Sequence, residues 1–314
     1  MNILVAGGTG LLGRAITREL IRLNHFVILL SRDPKRAELL FPPALRIAAW
    51  DGYTVGPWVK YLDDVGAVIN LAGESIGENR WSPEQKERLV SSRVQATRTL
   101  VSAVGKMKKK PRVFVSASGV GYYGNVADGD VTEKSPRGAD FLAEICHLWE
   151  REALKAERLG MRVVLLRSGV VLSKYGGALK KMLLPFRLFV GGPLGGGHQW
   201  FPWVHIDDAV AAFVLAIFNK KLSGPVNLAA PGSTTMAEFC SSLGRSLRRP
   251  SWMPVPGFAL RLALGEMAGP LLLSGQKAVP KKLLEAGFQF QFPNLDGALR
   301  NILYPELDFI ERGV

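Results

Sequence analysis

Ile3-Leu4-Val5-Ala6-Gly7-Gly8-Thr9-Gly10-Leu11-Leu12-Gly13 decides the fold: an apolar strand enters a glycine-rich turn, and Arg14 to Leu23 continues as a helix. Glycines at 7, 10 and 13 allow a tight turn, a close approach of backbone to a pyrophosphate, and contact between helix and strand. The free N–H groups of the helix N-terminus then face the anion. Thr9, Leu11 and Leu12 complete the loop and are counted with it. A buried strand-to-helix turn can use the same residues without a ligand, but the order strand, loop, helix is the one a dinucleotide requires.

Phe26 to Leu30 reads as a second buried strand ending at Ser31-Arg32-Asp33, where the adenosine ribose of such a ligand lies. A site selective for NAD puts a carboxylate directly at this strand end. Here a hydroxyl and a guanidinium stand there instead, and the planar fork of Arg32 suits a 2′-phosphate. NADP is therefore expected over NAD, with an ordinary solvated loop arginine as the alternative reading of Arg32. Asp33 comes one or two positions late and equally suits capping of the next turn. Asp51, after the third strand, is placed to accept from the adenine amino group, with loop capping as the alternative.

With 314 residues, 47% of them hydrophobic, the chain can bury a large core. Its two cysteines, Cys146 and Cys240, have no metal-like spacing and exclude a disulfide framework. No apolar run reaches the length of a membrane span, so a soluble cytoplasmic protein is expected. The net charge of +13 raises nucleic acid and membrane surfaces as partners. The densest basic cluster, Lys106 to Arg112, sits at a helix end, where cations complement the helix dipole, and no basic cluster alternates with aromatics as base stacking needs. A small-molecule substrate is expected, with no specific nucleic-acid or membrane partner.

Strand and helix alternate through the first two-thirds, which implies a parallel sheet covered on both faces. Strands are expected at 2–6, 26–30, 45–49, 66–71, 112–117 and 162–167, and helices at 11–23, 83–105 and 141–159, with Ser82-Pro83-Glu84 opening the second helix. Past residue 175 glycine, proline and aromatics dominate, and a further helix is expected at 207–219. The fold class is α/β, a Rossmann-type doubly wound sheet with a smaller C-terminal substrate lobe. The domain reading is 1–174 for the dinucleotide, with later strand contributions from 205–230, and 175–314 mainly for the substrate side.

Together these segments resemble the extended short-chain dehydrogenases/reductases over nearly the whole chain. Asn70-Leu71-Ala72-Gly73-Glu74 resembles the segment that passes the cofactor after the fourth strand. Ser116-Ala117-Ser118 before Tyr122-Tyr123-Gly124 resembles the serine strand end, and Arg167-Ser168-Gly169-Val170 the loop flanking the nicotinamide. With Leu184-Pro185-Phe186, Gly191-Gly192-Pro193, Trp203 to Asp208 and Gly275-Gln276-Lys277, the likeness narrows to the NADP-linked nucleoside-diphosphate-sugar-epimerase-like family. The resemblance implies cofactor contacts from Leu71, Ala72, Gly73, Glu74, Ser116, Arg167, Ser168, Gly169 and Val170. Arg93, at the head of a segment covering the same crevice, would add a cation near the phosphates or serve as an ordinary surface arginine.

The resemblance also implies a Tyr and a Lys four residues apart that transfer a proton, and a Ser that holds the reacting oxygen. Ser118 fits the last role. The tyrosine window, Asp140 to Glu150, contains no Tyr or Lys; matched on Glu150, Leu142 takes the tyrosine position and Cys146 that of the lysine. Two readings follow. In one, an oxidoreductase or epimerase for a nucleotide sugar or carbonyl compound uses Tyr122 or Tyr123 beside Ser118, with Glu144 or His147 near. In the other, a catalytically silent protein binds NADP and reports cofactor state to a partner. Arg187, Gln199, Trp203 and His205 are the expected substrate-side residues, although His205 also suits a structural turn before a helix capped by Asp207. His198 and His205 lack a third ligand, so no metal site is expected. Ser118 has no Gly-x-Ser-x-Gly elbow, which excludes acyl transfer.

Overall fold

The computed structural model of the chain describes residues 1–43 and 45–305. Its strands are β1 (Asn2–Ala6), β2 (Phe26–Ser31), β3 (Arg46–Ala49), β4 (Val65–Asn70), β5 (Val113–Gly119), β6 (Asp130–Val131), β7 (Arg162–Ser168), β8 (Val170–Leu172), β9 (Trp203–His205), β10 (Gly224–Leu228) and β11 (Lys277–Ala278). Its helices are α1 (Leu11–Arg22), α2 (Pro34–Glu38), α3 (Pro83–Gly105), α4 (Phe141–Leu154), α5 (Gly177–Arg187), α6 (Ile206–Phe218), α7 (Met236–Leu247), α8 (Gly257–Leu264), α9 (Lys281–Glu285) and α10 (Leu295–Leu303).

Seven strands form one parallel sheet in the order β10-β7-β5-β4-β1-β2-β3. Both faces are buried, so the strands are almost wholly apolar rather than alternating. Ile3 and Val5 of β1 pack with Ile16 and Leu20 of α1 and Phe213 of α6, while Leu4 faces the layer of Leu100 and Val104 from α3. Burying each such side chain stabilises by about 1.5–3 kcal/mol. The strand order reverses between β1 and β4, which opens a crevice at the carboxyl ends of those strands.

The expected elements lie within two residues of those observed, with one change of type. The helix expected to 159 ends at Leu154, and Lys155–Leu159 tightens into a 3₁₀ turn closed by Gly160 at φ 78°. At the start of α3 the Ser82 hydroxyl accepts from Gln85 N at 3.2 Å, with Pro83 in the first turn, where a missing N–H costs nothing. At its end Lys110 Nζ donates to the carbonyls of Gly105 and Met107, which gives part of the basic cluster a structural role. No helix among the described residues is long and apolar enough to cross a membrane.

The chain past residue 175 does two things. It returns to the sheet as α6 and β10, and it builds a satellite core of Phe186, Phe239, Trp203 and Leu299 around α5, α7 and α10. Residues 200–202 and 270–276 of this part close over the ends of β5 and β7.

Candidate functional site

Gly7 has φ 78°, and a Cβ there would stand 2.6 Å from the Leu71 carbonyl carbon; one at Gly13 would stand 2.4 Å from the Gly7 oxygen. Both positions exclude a side chain, so loop, β4 end and α1 approach as closely as backbones can. Gly10 precedes α1 without a capping side chain, and no acidic residue occupies the first turn. The opening N–H groups of α1, at Leu11, Leu12 and Gly13, therefore have no intrahelical acceptor and remain for an anion. Leu11 itself lies beside Gly176 and Gly177 at the start of α5.

From this loop a cavity of about 240 Å³ runs across the strand ends to β2 and β3, lined by Gly7, Thr9 and Gly10 at one end and Ser31, Arg32 and Asp51 at the other. Leu71, Ala72, Gly73 and Glu74 form its wall. Asn70 fixes that wall: its buried amide donates to Thr97 Oγ1 at 2.7 Å, and its Oδ1 accepts from Ala72 N at 3.2 Å. Trp50 and Tyr53, which sequence reasoning did not single out, flank Asp51.

The groups at the adenosine end divide by availability. Arg32 is exposed, and its guanidinium has no hydrogen-bond or ion-pair partner among the described residues. The Ser31 hydroxyl is already engaged with its own loop, donating to Asp33 O at 3.0 Å and accepting from Asp33 N. Asp33 caps α2 by accepting from Arg36 N at 3.0 Å. Asp51 accepts from the backbone of Thr54 and Tyr53 at 2.8 Å each and from the Thr54 hydroxyl, contacts that hold its carboxyl below the usual range. The loop-capping alternatives for Asp33 and Asp51 thus have visible partners.

Arg93 lies beneath the wall rather than on it. It is buried, donates to the carbonyls of Leu89 (2.9 Å) and Glu74 (2.7 Å), and faces the Trp149 ring. A Cβ on Gly73 would stand about 3.0 Å from its side chain, so the wall rests on the guanidinium. Burial lowers its pKa to about 10. Ser116 is fully buried within β5, is not among the residues lining this crevice, and takes a long contact from the Asn70 amide.

Five elements, β5, the 3₁₀ turn after it (Val120–Tyr123), α4, β7 and β10, converge on a buried polar chain at the ends of the strands. Glu150 of α4 receives Arg167 Nε at 2.8 Å, Arg167 Nη2 at 2.7 Å and the Ser118 hydroxyl at 2.7 Å. Arg167 Nη1 also donates to Tyr123 Oη at 2.9 Å, and Tyr123 donates to Asn227 Oδ1 at 2.6 Å. Tyr122 stacks its ring on the same guanidinium, 3.5 Å from centroid to Cζ. Burial by itself would lower the Arg167 pKa, but the Glu150 hydrogen bonds and charge outweigh it and hold the group cationic. Burial raises Tyr123 to about 12, against the partial opposition of Arg167. Ser118 and Tyr123 are therefore linked only through Glu150 and Arg167, each bound into this network. Glu144 lies elsewhere, exposed and ion-paired with Arg137.

Beside the network, a second cavity of about 300 Å³ lies between the ends of β5 and β7 and the closing segments 200–202 and 270–276. Ser168, Gly169 and Val170 line it, and so do Leu142 and Cys146, one turn apart on α4. Burial pushes the Cys146 thiol up to about 11. The Ser168 Oγ is buried without a hydrogen-bond partner.

The four expected substrate-side residues are not gathered there. Arg187 is exposed at the end of α5. Gln199 donates to the carbonyls of Leu194 and Leu272, and Trp203 is core, with its Nε1 on Thr234. His205, rather than Asp207, is the cap of α6: its Nδ1 accepts from Asp207 N at 3.0 Å and its ring stacks on Phe292. A wider cleft, about 640 Å³, lies between α7 and α10 at Arg245, Arg248 and Tyr304 and touches no strand end.

The glycine loop at a strand-order reversal, continued by a wall and a second cavity on the same sheet edge, is matched by family comparison. Residues 3–229 match the model of the NAD dependent epimerase/dehydratase family, and residues 255–302 match a domain of unknown function, DUF1731. The chain belongs to the NAD dependent epimerase/dehydratase family.

Among its relatives is the epimerase family protein SDR39U1 homolog, chloroplastic, of Arabidopsis thaliana, 42% identical over 96% of this chain and 87% of that protein. The crystal structure of human epimerase family protein SDR39U1 (isoform 2) with NADPH superposes with a TM-score of 0.85 at 37% identity, covering 96% of this chain and 99% of that one. A nucleoside-diphosphate sugar epimerase from Corynebacterium glutamicum gives 0.76 at 30% identity, covering 99% of this chain and 61% of that one. Within this family frame, Leu142 and Cys146 occupy the cavity wall at the positions where the resemblance implies a proton-transferring Tyr and Lys. Leu142 has no proton to exchange, and burial keeps the Cys146 thiol protonated at neutral pH, so it cannot supply the positive charge of a lysine.

The sequence missed Glu150 as a hub and Asn227 altogether. Glu150 carried a visible signal, an acid inside an otherwise apolar helix face. Asn227 carried a weaker one, an amide inside a buried strand, which requires partners.

Proposed function

We propose that this chain is an NADP(H)-binding, epimerase-like oxidoreductase of the cytoplasm acting on a small molecule, without a specific nucleic-acid or membrane partner. The observation that carries the reading is the unpartnered Arg32 guanidinium at the far end of a crevice whose near end is a side-chain-free glycine loop and uncapped helix. The residues fit a dinucleotide: a Cβ at Gly7 or Gly13 would fill the pyrophosphate cradle, and Arg32 suits a 2′-phosphate. The human relative solved with NADPH supports the choice of cofactor. When bound, the nicotinamide supplies hydride exchange with a carbon that bears oxygen. This chain's residues cradle the diphosphate, hold the 2′-phosphate and exclude water at the ends of β5 and β7. Calorimetric titration with NADPH and NADH tests the reading: NADPH binds at least tenfold tighter, and equal affinities would reject Arg32 as a 2′-phosphate ligand.

A second reading, a catalytically silent NADP sensor, is favoured by one observation: Leu142 and Cys146 stand where proton transfer is expected, while Ser118 and Tyr123 are committed to Glu150 and Asn227. Incubation with NADPH and a panel of sugars and carbonyl compounds separates the two, since a sensor binds stoichiometrically and never oxidises it.

A further inference from the structure

Resting on the NADP(H) reading, we propose that the second cavity takes an uncharged, largely apolar carbonyl compound or its alcohol, held through Ser168, and not a nucleotide sugar. A nucleoside-diphosphate sugar brings two phosphate charges, which in proteins are met by Arg, Lys or free helix N-termini. Among the described residues lining this cavity the single charged side chain is a carboxylate, Asp140. Asp140 also occupies the nearby helix start, capping α4 by accepting from Ala143 N at 2.8 Å. Diphosphate would meet repulsion there and no compensating cation.

The cations of the surrounding segments are spent elsewhere. Lys181 binds the Gly77 carbonyl and Glu78, Lys277 pairs with Asp130 at 2.9 Å, and Arg137 pairs with Glu144. The walls are Leu142, Val120, Phe201, Met236, Leu271 and Leu272, which favour an apolar body of modest size for about 300 Å³. Ser168, at the end of β7, lines this space, and its Oγ is buried without a hydrogen-bond partner. A buried hydroxyl lacking a partner is uncommon and calls for a ligand oxygen. Ser168 thus replaces Ser118, whose own hydroxyl is bound to Glu150.

The test uses the whole chain saturated with NADP⁺, so that the ketone cannot be reduced and the dinucleotide crevice is closed to a competing nucleotide. 4-Phenyl-2-butanone and UDP-glucose are titrated separately, followed by saturation-transfer NMR. The ketone is expected to bind with a dissociation constant of about 1 mM or below, and UDP-glucose not at all. Ser168→Ala, read at saturating NADP⁺, weakens the ketone about three- to tenfold. Independently of any variant, the carbonyl stretch of the bound ketone moves to lower frequency in the wild-type protein. UDP-glucose binding that the ketone displaces, an unshifted carbonyl stretch, or no ketone binding overturns the proposal. Should the chain bind neither NADPH nor NADP⁺, the cofactor reading fails separately. The ketone titration of the free chain then still decides the cavity assignment by the same criteria.

Discussion

Replacing Glu150 by Gln tests whether the buried network is structural rather than catalytic. The carboxylate is 5% exposed and Arg167 3% exposed, and three hydrogen bonds of 2.7–2.8 Å end on its two oxygens. The amide keeps one acceptor but turns an N–H pair toward donors, leaving the guanidinium charge uncompensated. Breaking a buried pair from one side costs about 3–5 kcal/mol, and the retained acceptor places Glu150→Gln near the lower end. With an unfolding entropy of about 2.1 cal/mol/K per residue, that is a fall in Tm of about 5 °C for a chain of this length. Differential scanning calorimetry reads it, alongside the doubly apolar Glu150→Leu/Arg167→Met protein. That variant recovers much of the loss, because neither charge is left buried alone. A Tm within about 1 °C of wild type for Glu150→Gln would refute the reasoning, since it would place the pair among solvent-screened surface pairs.

Arg32→Ala should weaken NADPH about 10- to 100-fold in calorimetry while NADH changes little, as loss of a charge-assisted hydrogen bond to one phosphate requires. Ser118→Ala should lower stability by about 1.5–3 kcal/mol in urea denaturation, for the lost bond to the Glu150 carboxylate, with NADPH affinity unchanged; a selective loss of cofactor binding would count against the structural role. Tyr123, raised by burial to about 12 from an ordinary value near 10, should be a late phenol in an ultraviolet titration, and Tyr123→Phe should remove that step. Because its folded pKa is raised, its stabilisation is complete below about pH 10 and is lost as pH climbs through 12. If every phenol ionises before about pH 11, the burial argument is wrong.

What the sequence determined by itself is local. A strand, three glycines and a helix start form the close-packed loop before α1 from residues adjacent in the chain, so spacing sufficed to read its geometry at Gly7 to Gly13, as it did the Ser82 cap and the alternation that makes a parallel sheet. Arg32 was legible for the same reason, because it follows β2 directly. What only the tertiary structure decided is which polar groups are already spent. Ser118, Tyr123, Glu150, Arg167 and Asn227 come from separate elements, with Tyr123 and Asn227 104 positions apart. Their hydrogen bonds arise only when β5, β7 and β10 lie side by side. Hydrogen-bond capacity is finite and shared across space, so a serine or tyrosine that looks reactive along the chain is engaged once the sheet closes. Ser168, read in the sequence only as part of the loop flanking the nicotinamide, is left with an unmatched hydroxyl by the same geometry.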